Sequence, residues 1–91
     1  MDTIIQDERV CFHPACDKTE GLELHHLLAG SYRNGAEKLG LKVFLCHDHH
    51  MKLHENETDM MKMRAFAQGY AMAYYGWTLE EFREKVGRNF I

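Results

Sequence analysis

The 91-residue sequence has a single proline, an odd number of cysteines, no long apolar run and no surplus of positive charge. Each shortage excludes something. No apolar run approaches the roughly 20 residues that cross a bilayer, so no membrane helix is expected. Met1 to Arg9 is acidic and lacks the charged-then-apolar order of a secretory signal, which sets the expectation of a cytoplasmic protein. Three cysteines cannot all pair, and a reducing compartment keeps them as thiols, so a disulfide scaffold does not account for them. No repeat, low-complexity stretch or linker interrupts the chain, and residues 1–91 are expected to form one domain with a modest core. Hydrophobic residues make up 45% of the chain, which argues against disorder.

The missing positive charge bears on function. A formal net charge of −3 is not the usual signature of a nucleic-acid-binding domain. The acid is uneven, however: residues 1–24 carry six acids and two bases, and residues 25–91 carry eight acids and nine bases. Bound divalent cations would add positive charge at a site in the second part.

Metal-ligand chemistry is what the chain has in plenty. All three cysteines and all seven histidines fall between Cys11 and His54. Pro14, inside Cys11-Phe-His-Pro-Ala-Cys16, favours a turn, and a turn can bring two thiolates onto one ion. Leu22 and Leu24 alternate with polar residues, predicting a short strand from Gly21 to His25. Gly30, Ser31, Asn34 and Gly35 mark residues 27–40 as a loop, with one helical turn near Ala36–Leu39. Leu41, Val43 and Leu45 predict a second strand. His47 to Glu55, free of glycine and proline, predicts a helix. A longer helix is expected from Asn56 or Thr58 to about Tyr75, stopped by Gly76. Thr78-Leu-Glu-Glu81 fits a capping box and opens a final helix ending near Val86–Gly87. Met60, Met63, Ala67, Tyr70, Tyr74 and Trp77 are expected to pack into the core.

The ligands divide into two sets. His50 and His54, spaced i, i+4, share one helix face and can meet one ion. His25 and His26 end the first strand, where neighbouring side chains point to opposite faces. One of the two can join that ion while the other points toward a substrate. Cys46 and His49, with Cys11 and Cys16, make a Cys3His set suited to a closed, tetrahedral structural zinc. His13 and His47 are left over and expected to be solvated, with His13 the alternative to Cys11 or Cys16 as a ligand.

The stretch His25-His26-Leu-Leu-Ala-Gly30, Arg33, Glu37-Lys38-Leu-Gly40-Leu-Lys-Val43-Phe-Leu45-Cys46, followed by His49-His50-x-x-x-His54, resembles the HNH, or ββα-metal, endonucleases. The likeness is greatest to small HNH proteins of bacterial phages and prophages, and it covers about residues 11–54. The resemblance implies an α+β fold: a ββα-metal motif with a zinc knuckle over residues 11–55, and two C-terminal helices over residues 56–91. It implies a metal-dependent DNA endonuclease that hydrolyses phosphodiester bonds. His25, His50 and His54 would hold a catalytic divalent ion (Mg2+, Mn2+, Ni2+ or Zn2+), and His26 would be the general base. Cys11, Cys16, Cys46 and His49 take the positions of the structural zinc, which many relatives fill with four cysteines. Arg33 is placed to pair with a neighbouring phosphate, and Lys38, Lys42 and Lys52 are candidate contacts to the DNA backbone. A backbone carbonyl in the 27–40 loop is expected to hold the second ring nitrogen of His26, and Glu37 to pair with Arg33. Family analogy extends to phage packaging or recombination proteins as partners and leaves the oligomeric state open.

Two positions depart from the family pattern. Its central Asn falls on Gly40 or Leu41, and Cys11-x4-Cys16 is wider than the usual Cys-x2-Cys. The competing reading is a non-catalytic, zinc-stabilised module that binds nucleic acid or a protein. His26 separates the two, because such a module has no use for an unliganded histidine beside a metal-ligand one.

Overall fold

The computed structural model describes residues 3–91. Along the chain come β1 (Leu22–His26), a single 3-10 turn (Gly30–Tyr32), α1 (Arg33–Leu39), β2 (Lys42–Cys46), α2 (His47–His54), α3 (Glu57–Tyr75) and α4 (Leu79–Val86). The two strands pair antiparallel, Leu22 opposite Cys46 and His26 opposite Lys42, so the fold is a small α+β arrangement of one two-stranded sheet and four helices. Among the described residues no helix is long and apolar enough to cross a membrane.

Strand alternation decides which side chains of β1 meet which neighbours. Glu23 and His25 share one face, and Leu24 and His26 the other. His25 is 4% exposed whereas Leu24 is 47% exposed. The sheet's apolar residues Val43 and Leu45 pack with Leu27, Leu28, Ala36, Leu41 and Phe82 in one buried cluster.

Residues 27–40 hold more structure than the expected loop. Leu27 and Leu28 are fully buried, each contributing about 1.5–3 kcal/mol by burial. The expected single turn extends to the seven residues of α1, because burying Ala36 outweighs the poor helix propensities of Asn34 and Gly35. Leu41, expected in the second strand, instead donates its N–H to Ala36 O and accepts from Leu27 N, each at 2.9 Å. The strand therefore begins one residue later. Gly40 makes this junction possible: its φ of 74° is left-handed, and with Leu41 it turns the chain from α1 into β2 within two residues.

The later helices start and stop on local chemistry. The Asn56 side chain accepts from Asp59 N at 3.0 Å, opening α3, and Gly76 closes it. Thr78 and Glu81 form the reciprocal capping box of α4. Met60, Ala67, Gln68 and Ala71 are the buried face of α3. Tyr74, assigned to the core by its spacing, is 56% exposed, a correction to the expected stripe. Its ring lies instead against Tyr75 and Tyr70, at 4.9 and 6.4 Å between centroids, where an amphipathic aromatic keeps its hydroxyl near water.

Candidate metal centres

The first centre gathers residues from three places. Cys11 and Cys16 come from the turn before β1, Cys46 ends β2, and His49 lies in the first turn of α2. One ligand atom from each lies within 4.8 Å of the others, and the four could hold a metal ion. Cys46 Sγ and His49 Nδ1 are 3.1 Å apart, and Cys11 Sγ and His49 Nδ1 3.5 Å. The wide Cys11-x4-Cys16 spacing closes through backbone bonds: Cys16 N donates to His13 O at 3.0 Å and Cys11 N to Lys18 O at 2.9 Å. Phe12 N donates to Phe44 O at 2.7 Å, which docks this turn beside β2.

The electrostatics suit a cation. Cys46 caps α2, and the His49 backbone amide holds its thiol below the usual range, helped by Cys11 and Cys16. Cys16 is drawn down by the Lys18 amide, but burial and the neighbouring thiols push it up overall. The neighbouring thiols thus favour the charge on Cys46 and oppose it on Cys16, and a bound cation would stabilise both as thiolates. The donor set fits a structural zinc. His13, expected to be solvated, stacks on the His49 ring at 4.0 Å and 6°, bracing that ligand.

The second centre lies between β1 and α2. His25, His50 and His54 each place one ring nitrogen within 4.8 Å of the others and could hold a metal ion. His50 and His54 bring their Nε2 atoms to 3.1 Å, near the spacing that two nitrogens on one ion at roughly 2.0–2.1 Å require. His25 Nε2 is buried with no hydrogen-bond partner among the described residues. Leaving such an atom unpaired costs about 1–3 kcal/mol, which a bound cation would remove. Burial, then the neighbouring His50 and His54, push the His25 pKa down to about 4, so the ring stays neutral and able to ligate at neutral pH.

Glu23 was not anticipated from the sequence. Its carboxylate accepts from His50 Nδ1 at 2.9 Å and from His47 Nδ1 at 3.2 Å. The Glu23 carboxyl is held below its usual range by the bond from His50 and then by that from His47. A carboxylate on Nδ1 leaves Nε2 of His50 as the ligating atom, the usual outer support of a metal-bound histidine. The signal was present, since Glu23 lies two residues before His25 on one strand face. His47, expected to be solvated, is exposed yet tied to this same carboxylate. Glu23→Ala is expected to weaken metal binding at the three-histidine centre about 10–100-fold, as loss of an outer carboxylate does. Calorimetric metal titration checks it, and an affinity equal to the parent's would detach Glu23 from the centre.

The other face of β1 carries His26. A cleft of about 250 Å3 brings it together with Arg33 and the three clustered histidines, bounded by Leu24 and Ala29. Three expectations are corrected here. The partner of His26 is the Glu37 carboxylate at Nε2, not a loop carbonyl, and Glu37 does not pair with Arg33. The cause is α1: Arg33 and Glu37 are four residues apart on one helix face, and both are presented to His26. Lys42 is no backbone contact for DNA; it is 5% exposed and donates to Glu37 at 2.8 Å. Lys42, then His26, hold the Glu37 pKa down to about 2, so its carboxylate is ionised. Arg33 Nε approaches His26 Nδ1 at 3.5 Å. With an acceptor on Nε2 and a donor near Nδ1, the neutral ring carries its proton on Nε2 and its lone pair on Nδ1.

Compared with known protein families, curated proteins and solved structures, the chain matches none.

Proposed function

We propose that this chain is a metal-dependent endonuclease of the HNH type, which hydrolyses a DNA phosphodiester with His26 as general base. The observation that carries the reading is the company His26 keeps. It shares one cleft with a three-histidine set able to hold a cation, yet stands outside that set, its ring tied by a carboxylate. A binding module needs no such histidine.

The chemistry follows from the groups present. His25, His50 and His54 would hold a divalent cation, which would supply Lewis-acid stabilisation of charge on the phosphate and the departing oxygen. His26 takes a proton at Nδ1 from the attacking water. Glu37 fixes the ring and its tautomer through Nε2, and stabilises the imidazolium as it forms. Lys42 keeps that carboxylate ionised and in place. Arg33 pairs with the phosphate, for which a planar guanidinium is suited. Its contact with His26 is long for a hydrogen bond, so a phosphate readily draws it away and bares the Nδ1 lone pair.

The deciding experiment incubates supercoiled plasmid with the zinc-loaded chain and, separately, added Mg2+, Mn2+, Ni2+ or Zn2+. Conversion to open-circle or linear DNA with at least one cation is expected. A chain that nicks under none of them would be the binding module instead.

A further inference from the structure

Gln68 lies on the buried face of α3 with no exposed surface. An amide buried there is costly unless hydrogen-bonded. Its Nε2 donates to Asn89 Oδ1 at 2.8 Å, and its Oε1 accepts from Phe90 N at 2.5 Å. Both ends of the amide are thus spent on the segment after α4, which has neither helix nor strand. The Phe90 ring adds an edge-on contact to Tyr32, at 5.5 Å between centroids. Between Gly87, where α4 ends with φ 106°, and this clamp stands Arg88, its guanidinium 5.0 Å from the Phe90 ring centre. A segment pinned from the interior holds Arg88 in a defined place.

That place is a cleft of about 330 Å3 lined by the 29–32 turn, Arg64, Arg88 and Phe90. Arg64 and Gln68 are one turn apart on α3, so the residue that pins the tail lies next to the second arginine. Ala29 lines both this cleft and the three-histidine cleft, so the two adjoin. In a chain of net charge −3, two guanidiniums converging beside a cation site form a local anion trap. Glu57, 3.4 Å from Arg64, is itself exposed and free to yield it.

We propose that Arg64 and Arg88 form a subsite for a phosphate of the nucleic-acid strand, flanking the phosphate at the three-histidine cleft. This rests on reading that cleft as a phosphodiester site. The strand then runs from the histidines over Ala29 toward the tail, with Tyr32 and Phe90 as an aromatic wall.

The test reads binding of a short fluorescein-labelled DNA duplex by anisotropy, over a series of sodium chloride concentrations, in the metal-loaded His26→Ala chain. On that background, Arg64→Ala and Arg88→Ala each weaken binding about tenfold and reduce the slope of log K against log salt by about one. Arg88→Lys keeps the slope, because charge sets it. Lys85→Ala, on the exposed side of α4, changes neither. Melting curves confirm that each variant is folded. Parental affinity and slope in both arginine variants overturn the subsite, even in a parent that nicks plasmid. Loss of binding through these two arginines in a parent that never nicks supports the subsite and removes the nuclease reading. A chain that binds no DNA overturns both.

Discussion

His26→Ala is expected to lose plasmid nicking by about 10²–10⁴-fold, the usual contribution of a positioned general base, while keeping its fold, its metals and its DNA affinity. The geometry separates these properties. His26 stands outside the ligand set of either centre, and its partners Glu37 and Arg33 belong to α1, not to the buried cluster. Glu37→Gln gives a smaller loss. The amide remains a hydrogen-bond partner for Nε2, but it no longer stabilises the imidazolium as a charge does, and the loss falls on kcat more than on KM. His25→Ala differs in kind: it weakens cation binding at the three-histidine centre, and added metal restores part of the rate. Nicking rates, metal content and melting curves on the three variants check the set. A fully active His26→Ala chain would take the base out of the mechanism.

Cys46→Ser is expected to abolish cooperative melting, whereas His54→Ala leaves the fold largely intact. Binding of structural zinc contributes about 10–16 kcal/mol in small zinc domains, comparable with or larger than the whole net stability of a domain this size. Cys46 is doubly placed. It is 3% exposed within the core cluster, and its Sγ lies 3.1 Å from His49 Nδ1, so its loss reaches packing and ligation together. His54 lies on an exposed helix end, and removing it opens only the second centre. One zinc per chain by elemental analysis should accompany the parent and be missing from Cys46→Ser. Parent-like melting in both variants would mean that the two ligand sets do not act separately.

Much of the frame was legible because its signals are local. Leu22 and Leu24 alternate into β1, Asn56 and Gly76 bound α3, and Thr78 with Glu81 opens α4; each depends on residues a few positions apart. The two ligand sets were legible for another reason. Thiolates and imidazoles are rare enough that their grouping between Cys11 and His54 carries meaning before any fold is known. What escaped depends on pairing across the chain. Glu37 reaches His26 only once α1 lies against β1, and Lys42 becomes a buried partner only through the register that sets it opposite His26. Glu23 shares a strand face with His25, but its bond to His50 forms only once α2 lies against β1. Gln68 carried no signal in the sequence, because nothing near it announces Asn89 and Phe90.

The eight residues of α2 carry ligands of both centres: Cys46 caps the helix, His49 faces the thiolates, and His50 and His54 face His25. His49 and His50 are neighbours in sequence and belong to different ligand sets. The helix is therefore a common rod between two clamps, and gripping it at one end sets the angle at which it is offered to the other. Thermodynamic reciprocity then applies. Zinc at the thiolates would raise the affinity of the three histidines for a cation by pre-aligning two of them, and a second cation would tighten the hold on zinc by the same factor. Because three thiolates favour zinc over a set of imidazoles with an open position, the thiolate centre would fill at the lower zinc concentration.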